Sequence, residues 1–173
     1  PRRDTLQPVT ANLSGSQGVQ RGRIVGIGAG AAGLLAAGSA ALAGLEVLVL
    51  EKMERPGRKL LLTGKGRCNL TNTAPMDEFL EHFGKNGRFL RPAFHLFFAD
   101  HLVELFEDLG VPATTERGGR VFPASEDAAD VVEALENWVL GLGVSVWRHA
   151  AVKRLIAEDG RVTGVVVERK KRT

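Results

Sequence analysis

The chain has 173 residues, 44% hydrophobic and 25% charged, which suits one globular domain and excludes wholesale disorder. No apolar run approaches the ~20 residues of a membrane span. The single cysteine, Cys68, excludes an internal disulfide framework, a dithiol redox centre and a multi-cysteine zinc site, and fits a reducing, cytoplasmic setting.

The net charge of +3 and pI near 9.4 resemble a nucleic-acid signature until they are mapped. Residues 1–23 carry +3 and residues 168–173 carry +3, which leaves −3 between 24 and 167. Inside that acidic body, residues 52–67 hold Lys52, Arg55, Arg58, Lys59, Lys65 and Arg67 against Glu54, a local +5.

Residues 1–22 are rich in Ser, Gly, Gln and Arg and read as a disordered extension. They lack the apolar core of ~7–15 residues that a secretory signal needs, though the composition is also that of an organellar transit peptide. Arg23–Ile27 then reads as a strand, followed by Gly28-Ala29-Gly30-Ala31-Ala32-Gly33, which matches G-x-G-x-x-G. Residues 31–43 are nearly all Ala and Leu, strong helix formers, and Gly44 stands at the position of a helix C′ glycine. Gly38 allows a close helix–strand approach. Leu45–Leu50 is a second strand, and it ends on Glu51, 18 residues beyond Gly33.

A strand, this glycine pattern, a helix, a second strand and a terminal acid together form the fingerprint of a dinucleotide site. Gly28 permits the tight turn, Gly30 leaves room for a pyrophosphate, and Gly33 lets the helix pack on the sheet. The free amides at the helix N-terminus, at Ala31 and Ala32, receive the phosphates, and Glu51 accepts hydrogen bonds from ribose hydroxyls. The alternative is a glycine-rich βαβ unit that holds no ligand. The fingerprint does not separate NAD from FAD.

Residues 57–72 bear on that choice. They read Gly-Arg-Lys-Leu-Leu-Leu-Thr-Gly-Lys-Gly-Arg-Cys-Asn-Leu-Thr-Asn, where a simple nicotinamide domain continues with another helix and strand. A second basic, glycine-punctuated loop suits further contacts to a large anionic cofactor. A solvated basic loop is the plainer alternative.

These two motifs together resemble the bacterial FAD-binding flavoproteins of the aminoacetone oxidase family, relatives of the dehydro-bile acid flavin reductases. Glu116-Arg117-Gly118-Gly119-Arg120-Val121-Phe122-Pro123 and the following Ser125 match the same family, and the resemblance covers about residues 23–167. It implies a Rossmann-like FAD-binding domain of the two-dinucleotide-fold, glutathione reductase type, present as an N-terminal fragment of a longer protein. Gly28, Gly30, Ala31, Ala32 and Gly33 would face the pyrophosphate, with Glu51 on the adenosine ribose and Lys52 beside it. The second loop would supply Lys59, Thr63, Gly64, Gly66, Arg67, Cys68 and Asn69 to the pyrophosphate and flavin side. The strand beginning near Ala151 would supply backbone contacts to adenine through Val152. Lys65 stands where many relatives have Gly, which predicts a less tightly turned loop.

The remainder supports an α/β body. Met76–Phe83 is a short amphipathic helix, and Arg91-Pro92 starts another whose face carries Phe94, Phe97 and Phe98, rings read as core packing. Asp100 is the predicted N-cap of a helix with Leu102, Leu105, Phe106 and Leu109 at helical spacing, closed by Gly110. His95 and His101 have the wrong spacing for a one-face metal pair, so no metal site is expected. Val121-Phe122 is a short strand, and Ser125 caps a helix through about Leu140. Val144–Trp147, Ala151–Ile156 and Val162–Glu168 form a small β-meander with a turn at Asp159-Gly160, before the basic end at 169–173.

The function expected is an FAD-dependent oxidoreductase acting on a small organic substrate, with NAD(P)H as a candidate donor and no specific nucleic acid or membrane partner. The alternatives are an NAD-binding Rossmann enzyme and a non-enzymatic, basic nucleic-acid-binding module. The flavin would carry the redox chemistry. Cys68, beside the cationic Arg67, has a neighbour that lowers a thiol pKa. Without a partner cysteine it reads as a small residue packed near the flavin, and no residue is assigned as catalytic. The fragment alone is expected to be inactive.

Overall fold

A computed structural model describes residues 5–10 and 23–169, with only the backbone described over 5–10. In chain order the strands and helices are β1 (Thr5–Thr10), β2 (Arg23–Ile27), α1 (Ala31–Leu42), β3 (Glu46–Leu50), β4 (Thr71–Asn72), α2 (Met76–Glu81), α3 (Arg91–Leu96), α4 (Ala99–Asp108), β5 (Ala113–Thr115), β6 (Arg120–Pro123), α5 (Ala128–Gly141), β7 (Ser145–Trp147), β8 (Ala150–Glu158) and β9 (Arg161–Arg169). Two 3₁₀ segments, Leu60–Gly66 and Gly84–Leu90, lie between them. The chain divides into two bodies, residues 1–58 with 135–173, and residues 59–134.

In the first body β2, β3 and β7 form a parallel sheet with β3 central. A central parallel strand covered on both faces reads as an unbroken apolar run. Val47, Leu48, Val49 and Leu50 accordingly are all buried. Helix α1 packs on β2 and β3. Its Gly38 meets a constraint from α5. A Cβ there would lie 2.1 Å from the Trp138 ring of α5.

The second sheet of this body is antiparallel, in the order β1-β9-β8. Leu48, Leu50, Ala150, Val165 and Val167 form one buried cluster, with Val25, Trp147 and Val152 against it, so the two sheets share a core. The turn at Asp159-Gly160 has φ of 49° and 74°, the left-handed pair that matches strand twist in a two-residue hairpin. The expected three-strand meander is revised. Only β8 and β9 pair as a hairpin, while β7 joins the parallel sheet. His149, at φ 54°, turns the chain from one sheet to the other.

Two readings of the ends change. Thr5–Thr10, within the expected disordered extension, is a strand paired with β9 from Thr5↔Arg169 to Thr10↔Gly164, while 1–4 and 11–22 lie outside the described residues. Arg169, the first residue of the basic end, belongs to β9 and sets its guanidinium 4.4 Å from the Trp147 ring. Residues 170–173 lie outside the described residues.

In the second body β4, β6 and β5 form an antiparallel sheet. Phe79 contacts the rings of Phe94 and Phe98 edge-on at 5.6 and 5.2 Å and tilts against Phe83 at 5.9 Å, the packing role read for Phe94 and Phe98. Phe97 lies apart from that cluster, stacked on His101. The predicted caps shift. The N-cap of α4 is Phe98, whose N–H donates to His101 Nδ1 at 3.2 Å, and Asp100 sits in the first turn. Asp127 rather than Ser125 caps α5, accepting from the Ala129 N–H at 2.8 Å.

Gly38→Ala tests the α1–α5 contact. Helix propensity alone favours Ala by about 1 kcal/mol. The Trp138 ring reverses the sign, and overpacking should cost about 2 kcal/mol in urea unfolding. Adding Trp138→Leu should restore the propensity gain.

Candidate dinucleotide-binding site

The glycine motif takes the form its spacing predicts. Gly28 has φ +97°, a conformation L residues rarely adopt, and its N–H donates to Leu50 O at 2.8 Å, continuing the β2–β3 ladder. At Gly33 a Cβ would lie 2.0 Å from the Gly28 carbonyl oxygen, so no side chain fits between helix and turn. Gly30 differs. Its backbone is ordinary, with φ −84°, and nothing lies within 4 Å of a Cβ placed there. The space over Gly30 is left open rather than packed.

Helix α1 starts at that opening without a side-chain cap and with no acidic residue in its first turn. Its first internal bond runs from the Leu34 N–H to Gly30 O at 2.9 Å. The amides of Ala31, Ala32 and Gly33 precede it and have no acceptor within the helix. Free amides, the positive end of the helix dipole and an open approach together make an anion cradle. These residues fit the pyrophosphate of a dinucleotide.

Glu51 is the one buried charged side chain among the described residues. Its Oε2 accepts the Ala29 N–H at 2.7 Å and its Oε1 accepts the Met53 N–H at 2.8 Å. Ala29 is fully buried, and its carbonyl accepts the Gly57 N–H at 2.8 Å. The carboxylate therefore ties the glycine turn to the end of β3. Each of its oxygens keeps a second lone pair, so acceptance from a ribose hydroxyl is compatible with both bonds. The Glu51 backbone accepts from the Ala150 N–H and donates to Trp147 O, both at 2.8 Å. Val152 follows two residues after Ala150, half-buried against the core, and β8 bulges immediately after it. Lys52 is exposed. The structural parts of Ala29, Met53 and Gly57 are carried by their backbones, which leaves no mark in residue type.

Residues 59–72 of the second loop lie in the second body. Gly64, Lys65 and Gly66 are consecutive left-handed residues, at φ 56°, 59° and 90°, and Cys68 is a fourth at 60°. Lys65 thus makes the turn despite its side chain, against the expectation of a looser loop. The loop closes through Cys68 N–H to Thr63 O at 3.1 Å, and Thr63 Oγ1 donates to Leu60 O at 2.8 Å. With its amide nitrogen facing the sheet, Asn69 donates to Val121 O at 3.1 Å and Thr71 O at 2.9 Å. Lys59 is exposed. Cys68 is fully buried, and burial pushes its thiol pKa up rather than down. The activated thiol suggested by the Arg67 neighbour is therefore absent. Arg67 Nη1 instead donates to Glu116 Oε1 at 2.7 Å and reaches Glu126 Oε1 at 3.4 Å.

The described residues hold no group of three His, Cys, Asp or Glu that could bind a metal, and no helix among them is long and apolar enough to cross a membrane.

Comparison with known proteins follows this geometry. The family model described as the HI0933-like protein Rossmann domain matches residues 22–173. The chain is 40% identical over 135 residues to a 3-dehydro-bile acid Δ(4,6)-reductase of Clostridium scindens, covering 77% of this chain and 32% of the relative. It is 32% identical over 112 residues to a ribosomal RNA dihydrouridine synthase of Escherichia coli, covering 63% of this chain and 26% of that protein. It thus spans about a third or less of these two relatives. A 3-ketosteroid Δ4-(5α)-dehydrogenase of Rhodococcus jostii shares the fold, with a TM-score of 0.63 at 20% identity over 85% of this chain and 41% of that one.

Two glycines separate binding from folding. Gly30→Ala should change stability by under about 1 kcal/mol and weaken dinucleotide binding. Gly33→Ala should cost roughly 3 kcal/mol through overpacking. Urea unfolding and cofactor content distinguish them. Glu51→Ala orphans two amides and should cost about 3 kcal/mol.

The raised Cys68 pKa has a definite sign. Its contribution to stability is full below the ordinary thiol pKa of 9.0 and is lost as pH climbs through the higher folded value. Unfolding midpoints should fall above about pH 9 in the native chain and not in Cys68→Ala. Iodoacetamide should label Cys68 far more slowly than a free thiol.

Proposed function

The chain belongs to the HI0933-like Rossmann family, and on that premise we propose that it is the FAD-binding part of a longer oxidoreductase. The observation that carries this is the open, uncapped start of α1 over Gly30, set beside the buried Glu51 at the end of β3. The backbones of Gly28 and Gly30 make room for the pyrophosphate, and the Ala31 and Ala32 amides donate to it with Gly33 behind them. Glu51 accepts from the adenosine ribose, Lys52 adds positive charge, and the Val152 backbone meets the adenine. Lys59 and the loop carrying Thr63, Gly64, Gly66, Cys68 and Asn69 form the second set of contacts.

When bound, the flavin supplies two-electron hydride chemistry. The residues of this chain orient it and neutralise its phosphates. The two kinds of curated relative suggest the class of reaction. A 3-dehydro-bile acid Δ(4,6)-reductase and a dihydrouridine synthase each add hydrogen across a ring carbon–carbon double bond conjugated with a carbonyl. We extend that class to the whole protein, with a nicotinamide donor returning the electrons.

A small organic enone is favoured as substrate by the higher identity and wider coverage of the bile-acid relative, and by the −3 balance of residues 24–167. RNA is the second reading. It is supported by the synthases and by the exposed Lys52, Arg55, Arg58, Lys59 and Lys65.

The test uses the whole protein purified from cells. Tightly held flavin, reduced by NAD(P)H and reoxidised by a 3-keto-4-ene steroid, is the expected result. A colourless protein that takes up NAD but not FAD would overturn it. Reoxidation by a uridine-containing ribosomal RNA fragment, steep in salt, would select the second reading.

A further inference from the structure

The loop Thr63–Asn69 is costly to hold. Lys65 and Cys68 are side-chain-bearing residues in left-handed conformations, which disfavour L residues. Its own backbone gives two closures, Cys68 N–H to Thr63 O and a longer one of 3.3 Å from the Arg67 N–H to Gly64 O. Two of its side chains tie it to its surroundings: Asn69, through Val121 O and Thr71 O, and Arg67. The Arg67 guanidinium lies 4.2 Å from the centre of the Phe122 ring on β6 and is pinned by Glu116 at the end of β5 and by Glu126 beyond β6. The ring also has the Arg120 guanidinium 5.8 Å from its centre, and the loop itself against its edge. A Cβ on Gly64 would sit 3.0 Å from Phe122 Cε1 and crowd the ring on which the loop lies. Arg120 pairs with the second Glu116 oxygen at 3.4 Å. The paired carboxylate also raises the Arg67 pKa, chiefly through the Glu116 hydrogen bond.

We propose that Glu116 and Phe122 are positioning residues for cofactor binding, holding Arg67 as a strut that sets the 63–69 loop rather than as a ligand of the phosphates. This rests on the reading of that loop as an FAD contact. It also gives the Glu116–Pro123 motif a physical task. The planar fork of Arg suits the site, because it can stack on a ring while donating to two carboxylates, which a lysine ammonium cannot do.

The test is FAD affinity of the whole apoprotein, measured by fluorescence quenching across a range of salt, with melting temperature as the control on folding. Arg67→Lys, Glu116→Gln and Phe122→Leu should each weaken FAD binding by about tenfold. Their combinations should be no worse than the single variants, and the salt dependence should be unchanged. Arg67→Lys is the mildest and keeps the test open if Phe122→Leu unfolds the loop. If Arg67→Lys retains affinity while Arg67→Gln loses it together with part of the salt dependence, Arg67 is a phosphate ligand and the proposal is overturned. If all of these variants bind normally while Gly30→Ala does not, the loop is no cofactor contact and the proposal fails alone. If Gly30→Ala also binds FAD normally, the FAD reading fails with it.

Discussion

A buried carboxylate must be satisfied, and the satisfaction of Glu51 organises the first body. The cost of burying a charge is offset only by donors placed to meet it. Here both donors are backbone amides, at Ala29 and Met53, one on each side of the strand end. The carboxylate thus fixes where the glycine turn lies relative to β3, and with it the start of α1. The Gly57 N–H holds Ala29 from its carbonyl side, so the turn is held by both of its polar groups. An acid at the end of the second strand is usually discussed as a ribose ligand. In this chain it is a structural tie first, and whatever it offers a ribose comes from the lone pairs left over.

The second body solves a different problem. Its loop is set by an ion pair and a ring stack reaching across 49 and 55 residues of sequence, from Arg67 to Glu116 and to Phe122. The first body presents an anion cradle made of backbone amides. The second takes a cation from the basic stretch and uses it internally. In the first body the backbone amides are the means of meeting an anion. Amides in a fixed frame need not reorganise when charge arrives, whereas a long side chain loses rotamer freedom.

The βαβ unit was legible in the sequence because each of its parts is local. An apolar run, a glycine triplet at set spacing, an Ala/Leu helix and a terminal acid all act through neighbours in the chain. The Asp159-Gly160 hairpin was legible for the same reason. The caps were misread at Asp100, where the backbone starts α4 from the apolar Phe98, and at Ser125, where Asp127 two residues on takes the part. Ala29 left no signal, since its part is played by an N–H and a C=O that every non-proline residue owns. The partners of β7 and of Thr5–Thr10 are non-local choices between strands of similar composition. For Arg67, residue type shows a charge and not the carboxylates of Glu116 and Glu126 that lie against it.

That last point changes the meaning of the basic stretch. Formal charge counts Arg67 among the six cations of residues 52–67, yet Glu116 and Glu126 lie against it. Lys52, Arg55, Arg58, Lys59 and Lys65 are all exposed, with no ion pair among the described residues. Exposed cations act at a distance of about a Debye length and are screened by salt. They can draw a polyanionic ligand toward the chain without fixing its pose. In the first body, placement falls to amides whose position is set by Glu51. Attraction and placement are therefore assigned to different groups, and a substitution can remove one while leaving the other intact.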